Sequence, residues 1–429
     1  MNFKRSLRGV IGAQVFEALA AGLMMSMAIV YFATITNVPL AQIGLASAAA
    51  ALVSMPLGVL GGWLQHRYGS RTALIVNNLL TAAGYSIFLF ANSALLIFFA
   101  ILLTEMGGRI YWAIWTTFMK DLAGDSPYEA TFAKFESIKM AIMGCGAAMS
   151  VVVLAIASTT GVRWIVFGNV VFTLIAAVIY STIKIPVGTH VSEEIDIEAA
   201  PIYSTIKIPV GTHVSDDIDM EAAPAVRWKA VNHRGFWPIL IGQFFLAPIM
   251  VLPNVALSAY FVTVWGLSPA VASVTFGVNA AVVAIFQQLV TKAVRFVPRS
   301  TLINTACLIL IGCLVALALT PPLEGLAAWT FVVAVAIMLG VGDILYMPAT
   351  NALMAEVPPP EVRGLSVSIF QTGMAVGMAL YPATLVLLDI NPLLIWAVTG
   401  ASIGIGAIAY NLATVRGPAI ARVSVTRGS

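Results

Sequence analysis

Four ionisable residues, Glu17, Glu105, Arg109 and Asp343, stand inside long apolar runs of this sequence. If those runs cross a bilayer as helices, each such residue costs about 3 kcal/mol to insert, so it is kept there for a use. Glu105 and Arg109 are spaced i, i+4 and share one helix face. They form either a self-neutralising structural pair, or a pair in which Arg109 holds Glu105 or Glu17 ionised until substrate or a proton displaces it. Glu17 has no opposite charge near it in sequence, and a carboxyl so placed suits taking up and releasing protons near neutral pH. Asp343 follows Gly340, Val341 and Gly342, which permit close helix approach. It is read as a second proton or cation site, or as a tie between helices.

This is the chemistry of ion exchange, not of bond making. No Ser/His/Asp set falls at a shared depth, so no enzyme activity is expected. The three cysteines (Cys145, Cys307, Cys313) lie in apolar runs, and the four histidines (His66, His190, His213, His233) are scattered through connectors. Neither pattern has metal-ligand or disulfide spacing. No Gly-rich loop ends in Lys-Ser or Lys-Thr, which argues against nucleotide drive, and no cofactor is expected. The basic residues fall singly, without interleaved aromatics, so nucleic acid is not an expected partner.

The elements that must position these charges are membrane spans. Of 429 residues 60% are apolar and only 10% charged, with mean hydropathy +0.96. A soluble globular chain carries about 25% charged residues. Apolar runs of about 20 residues give twelve spans, with approximate limits 9–35, 40–64, 72–94, 95–119, 133–159, 162–184, 235–263, 269–291, 300–320, 325–351, 363–388 and 391–415. They are called spans 1 to 12 below. The expected architecture is an all-α integral membrane protein of two six-helix bundles. Turn residues separate the spans at Asn37-Val38-Pro39, Ser158-Thr159-Thr160-Gly161, Gly266-Leu267-Ser268-Pro269, Pro321-Pro322 and Pro358-Pro359-Pro360.

Charge asymmetry supports the count. With the N-terminus inside, Lys4, Arg5, Arg8, Arg67, Arg71, Lys120, Arg227, Lys229, Lys292, Arg295, Arg299, Arg363 and Arg416 all fall on the inner side. Lys134 and Lys139 are placed at the inner end of span 5, and the outer connectors hold only Arg163. One missed span would invert every later connector. Both termini are therefore expected in the cytoplasm, with the first apolar segment retained because it is too long for a signal h-region.

The expected domains are residues 1–184, a cytoplasmic linker 185–234, and residues 235–429. Across the linker, residues 179–201 recur almost unchanged as 202–224, with Glu193, Glu194 and Ile197 answered by Asp216, Asp217 and Met220. Two copies are too few to stack into a solenoid. The repeat reads as a tandem duplication in a tolerant loop, or alternatively as an acidic docking segment of a membrane sensor. Each half also carries an acid-and-turn connector at one place: Lys120-Asp121-Leu122-Ala123-Gly124-Asp125 after span 4, and Ala355-Glu356 through Glu361-Val362-Arg363-Gly364 after span 10.

Between spans 2 and 3 lies Gly62-Trp63-Leu64-Gln65-His66-Arg67-Tyr68-Gly69-Ser70-Arg71. Gly69 suits a tight turn, and Arg67 and Arg71 mark one membrane face. The pattern Gly62-x-Leu64-x-x-Arg67-x-Gly69-x-Arg71 resembles the corresponding loop of major facilitator superfamily transporters. That family usually has an acid where His66 stands and a second base where Ser70 stands. Gly342-Asp343-x4-Pro348, followed by Glu356, Pro358, Glu361, Arg363 and Gly364, resembles the span 10–11 region of bacterial drug–proton antiporters in that superfamily. Those antiporters usually carry a Gly-Pro pair in span 5, where this chain has Gly144-Cys145-Gly146-Ala147-Ala148.

The resemblance implies a central cavity lined by spans 1, 4, 7 and 10, and all four buried charges fall on three of these. At about 1.5 Å per residue, Glu17, Arg109 and Asp343 come out at similar depths of roughly 12 Å from the inner face, and Glu105 one turn deeper. Further lining candidates are Gln14, Asn78, Tyr85, Tyr111, Trp112, Trp115, Gln243, Asn254, Tyr260, Asn279 and Tyr346. A mixed aromatic and polar lining suits a moderately lipophilic organic compound. The expected function is export of a small organic compound in exchange for protons by alternating access, with the lipid bilayer as setting and a monomer as the working unit. Proton-coupled uptake of a metabolite is the same-class alternative.

Overall fold

A computed structural model describes residues 3–25, 27–123, 128–183, 235–294, 296–359 and 362–416. The linker 185–234, most of the duplicated segment, and the side chains of Lys4, Arg5, Arg8, His66, Lys120, Lys134 and Arg363 lie outside what is described. The described residues are helical, with no strand among them. This bears out the all-α membrane fold. In a bilayer every backbone polar group needs an internal partner, and a helix supplies one within its own segment.

Among the described residues ten helices are long and apolar enough to cross a membrane, and there are eleven if Gly9–Met24 and Ala28–Ile35, which meet at a bend of 50°, count as one broken span. The remaining expected crossing, span 3, belongs to the helix Gly58–Phe88. It carries Arg71, Asn77 and Asn78 and stops at Phe88, so it is short and polar for a crossing by itself.

Two connectors are tighter than a loop. The helix Gly58–Phe88 is broken at one residue, Gly69, with φ 80° and ψ 160°. A side chain disfavours that conformation, which is why glycine stands there. Spans 5 and 6 are joined in one element, Tyr128–Thr182, that holds the crossings Ile138–Ala157 and Thr160–Thr182. The chain folds back between them, since a Cβ on Gly161 would lie 2.9 Å from the carbonyl oxygen of Val153, eight residues earlier. A straight helix would separate such residues by about 12 Å. Span 7 is irregular as well: Phe236–Leu246 and Pro248–Val251 lead into a π-helical turn, Pro253–Leu257, before Ser258–Thr263. Pro248 and Pro253 each remove a helix donor, which accounts for the break.

The two bundles meet between span 8 and spans 5 and 6, where Ala270–Ala293 packs on Tyr128–Thr182, and at the end that carries the connectors after spans 1, 7 and 11. There Ala28–Ile35 packs on Ser258–Thr263, and Leu40–Ser54 packs on the stretch from Arg363 to Ile390. Gly44 lies so close to the carbonyl oxygen of Pro382 that a Cβ would overlap it. Asp389 of span 11 reaches across to the start of span 2, where the backbone N–H of Ala41 donates to its Oδ2 at 3.0 Å. A carboxylate at a helix N-terminus meets unpaired N–H groups and the positive end of the helix dipole. One apolar cluster runs through this junction, with Met27, Phe32, Ile43, Tyr260, Phe261 and Leu385 among its members. The other half of the first bundle builds a separate cluster around Val10, Leu74, Ile114, Trp115 and Tyr180. The bundles are thus joined at this end as well as between span 8 and the pair of spans 5 and 6.

Candidate functional site

Glu17 lies in the first bundle and is gripped from two neighbouring spans. Asn77 donates through Nδ2 to its Oε1 at 2.9 Å, and Asn78 donates to the same oxygen at 3.4 Å. The hydroxyl of Tyr180 in span 6 donates to Oε2 at 3.1 Å. Asn78 also donates to the carbonyl of Leu74, one turn earlier, so its amide is divided between two acceptors. Both carboxylate oxygens therefore have partners, and all three donors are neutral side chains.

A cation also lies within electrostatic reach of Glu17: it is Lys139, while Arg109 pairs with Glu105. The sequence reading placed Lys139 at the inner end of span 5 as one of the boundary cations. In the structure it is only 5% exposed. Its Nζ stands 4.9 Å from the ring centre of Trp112, 5.7 Å from that of Trp115 and 5.9 Å from that of Tyr111. Tyr111 and Trp115 are stacked with centroids 5.0 Å apart. An ammonium within about 6 Å of an aromatic face is attracted by the ring quadrupole, and more strongly when water is excluded. Tyr111, Trp112 and Trp115, expected to line a cavity, instead wall in a cation.

Glu105 and Arg109 pair with each other at 3.6 Å, as their spacing suggests. Both remain partly exposed, and Arg109 Nε also reaches the hydroxyl of Ser54 in span 2 at 3.5 Å. Tyr85 of span 3 lies within electrostatic reach of Glu105. In the second bundle Asn279 of span 8 donates to Asp343 Oδ2 at 3.1 Å. Tyr346, one turn along from Asp343, is buried close by. The four charges thus form three separate centres: Glu17 with Lys139, Glu105 with Arg109, and Asp343 with Asn279.

Most of the other lining candidates are packed inside the bundles in this conformation. Gln14, Asn78, Trp115, Gln243, Tyr260 and Tyr346 are all buried. Gln243 donates to the sulfur of Met354, and Tyr260 donates to the carbonyl of Leu317 at 3.4 Å while standing edge-on to Trp396. Gln14 Oε1, Gln243 Oε1 and Asn254 Oδ1 are buried without a hydrogen-bond partner among the described residues. A large aromatic side chain fills interhelical space well, which fits the burial of Trp115, Tyr260 and Tyr346 in this conformation. A small apolar cavity does exist between spans 7, 11 and 12, beside Phe244, Pro248, Tyr381 and Thr399, but none of the four charges lines it.

Within the connector of spans 2 and 3, Gly62 is exposed with open space around it, and Arg67 lies 6.0 Å over the ring of Tyr68. Arg71 turns inward. Its Nε donates to the carbonyl of Tyr180 at 3.1 Å, and its Nη2 to the carbonyl of Ser181. Those are among the last carbonyls of span 6, which a helix leaves without internal donors. Sequence reasoning missed both Lys139 and Tyr180. Lys139 carried a signal, since it lies six residues inside its expected span. The contact of Tyr180 with Glu17 bridges 163 positions and leaves no local pattern.

No curated protein matches this sequence. Among solved structures the chain is similar in fold to a point variant of the nucleoside transporter NupG, with TM-score 0.71, 11% identity, and coverage of 96% of this chain and 100% of that one. It is likewise similar to the peptide transporter POT in complex with sulfate (TM-score 0.67, 16% identity, 96% and 95% coverage). A third is a bacterial homolog to the human lysosomal transporter Spinster in an inward-facing, unoccupied conformation (TM-score 0.65, 15% identity, 96% of each chain). At such identities the likeness speaks for the fold. The sequence itself matches the family described as Major Facilitator Superfamily over residues 10–382, and the chain belongs to that family of multi-pass membrane transporters.

Proposed function

We propose that this transporter couples movement of a small organic, moderately lipophilic compound to protons, and that Glu17 is the coupling carboxyl. The observation that carries the reading is the setting of Glu17: partly buried in an apolar bundle and held by two amides and a phenol. Amide and hydroxyl partners can reorganise around either protonation state, whereas a bidentate guanidinium would favour one. Asp343 beside Asn279 is the second candidate, in the other bundle. We read both termini as cytoplasmic, which makes the end that carries the connectors after spans 1, 7 and 11 the outer one, and we take this conformation as inward-facing. Protonation then biases the exchange between this state and its outward-facing counterpart by the difference in affinity for protons.

Export in exchange for protons is the first reading. Uptake is favoured by one observation: two cations, Lys139 and Arg109, accompany Glu17 and Glu105 in the first bundle, which lessens its attraction for a cationic drug. The absence of proline in Gly144-Cys145-Gly146 supports the same alternative.

The test is proton release from inside-out vesicles under an imposed pH gradient, with lipophilic cations, neutral compounds and small acids added in turn. Compound-dependent release that Glu17→Gln abolishes is the expected result. Release that survives Glu17→Gln moves coupling to Asp343 or Glu105. If no compound moves protons in the wild type, export fails.

A further inference from the structure

Tyr180 touches two features that the chain otherwise keeps apart. Its hydroxyl donates to Glu17 Oε2, and its own backbone carbonyl accepts from Arg71 Nε. Arg71 opens span 3, and six residues later Asn77 of that span donates to the other oxygen of Glu17. The contacts close a ring: Arg71, the end of span 6, the Tyr180 ring, the carboxylate, Asn77, and back down span 3 to Arg71. At the open corner stands Gly69, the single non-helical residue of the helix Gly58–Phe88.

We propose that Tyr180 is a positioning residue that carries the protonation state of Glu17 to the turn at Gly69. The proposal rests on Glu17 being the coupling carboxyl. An ionised carboxyl only accepts, so Tyr180 donates to it. A proton added at Oε2 gives that oxygen a hydrogen to donate and weakens it as an acceptor; aimed at Tyr180, it makes the hydroxyl the acceptor and turns the hydroxyl's own hydrogen elsewhere. Tyr180 is fully buried, so a hydroxyl hydrogen without an acceptor is costly. The groups that face Glu17 or this hydroxyl are Lys139 from span 5, Tyr111 from span 4, and Asn77 and Asn78 from span 3. The ring shifts to meet a new partner, and the carbonyls of Tyr180 and Ser181 shift with it. Arg71 holds both carbonyls, so its grip changes and the turn responds.

The test places a cysteine at Tyr68, which is 54% exposed beside Gly69, in a Cys145→Ser background; Cys307 and Cys313 are buried. Labelling by a membrane-impermeant maleimide is timed on the full chain in inside-out vesicles, with Glu17 or Glu17→Gln. The expected result is that Glu17→Gln changes the labelling rate about threefold or more, a coupling of ordinary size between linked sites. Adding Tyr180→Phe, which keeps the ring and removes the hydroxyl, makes the two rates equal. Arg71→Gln, which cuts the other end of the connection, does the same with Tyr180 intact. An equal response with and without the Tyr180 hydroxyl overturns the proposal, as does an unresponsive turn in the Tyr180 parent. Proton release measured in the same vesicles reports separately on Glu17. Release lost in Glu17→Gln with an unresponsive turn leaves the coupling role standing and removes Tyr180 from it. Release retained in Glu17→Gln removes the coupling role itself.

Discussion

A carboxylate inside a bundle, two amides, a phenol and an ammonium set against three aromatic rings form one polar group of the first half. Glu17 was legible in the sequence because an acid within an apolar run is costly wherever it points. Its partners were less so: Asn77 and Tyr180 look like ordinary polar punctuation until spans 3 and 6 bring them beside span 1. Lys139 stands at a span's end as expected, and its burial was not legible because long side chains there usually reach back to the interface. Here the three rings of span 4 hold it inside. Replacing Lys139 by Met keeps much of the volume and removes the charge that faces Glu17. The expected outcome is a loss of compound-dependent proton release of about tenfold or more, in line with about 1.5–3 kcal/mol for interactions of charged groups. Lys139→Arg should retain more activity than Lys139→Met, measured in the same vesicles.

Among the elements, the spans with uninterrupted apolar runs were read closely from composition, and the joints between them were not. The turn between spans 5 and 6 was expected at Ser158–Gly161, and the fold-back falls there without a loop. Span 7 was expected as one crossing, and Phe236–Thr263 makes one, but Pro248 and Pro253 interrupt its helix and leave a π-helical turn at Pro253–Leu257. Proline positions were visible in the sequence. Whether a proline kinks, breaks or merely starts a turn depends on the neighbouring spans that take over the lost hydrogen bonds. Gly69 was read as a turn residue, and its φ of 80° agrees. With ψ 160° as well, this is a region essentially confined to glycine, and a β-branched side chain held there costs about 1–3 kcal/mol. Gly69→Val should therefore lower the thermal unfolding midpoint of the detergent-solubilised protein. Ser70→Val, beside it in ordinary backbone, is the control expected to have a smaller effect.

At the scale of the whole molecule, the two-bundle layout followed from span count and charge asymmetry, whereas the place where the bundles join did not. That junction depends on the absence of a side chain at Gly44 and on a backbone N–H of Ala41 meeting Asp389, 348 positions away. Neither has a signature in hydropathy. Because a Cβ on Gly44 would overlap the Pro382 carbonyl, Gly44→Val should wedge the joined end apart. Spin labels at the exposed positions Leu45 and Ile390 are expected to report a longer distance in Gly44→Val than in the parent. An unchanged distance would mean that the interface absorbs the added methyls by local repacking.

The 50° bend in the first span bears on how that end comes apart. Beyond the bend, Ala28–Ile35 rests on Ser258–Thr263, which belongs to the other bundle. A straight helix would drag its tip along with its own bundle and shear that contact. A jointed one can swing, leaving its tip docked on the far side while the longer arm departs. Because the tip also packs on Leu40–Ser54 and Tyr128–Thr182 of its own bundle, the joint lets one short helix keep hold of both halves.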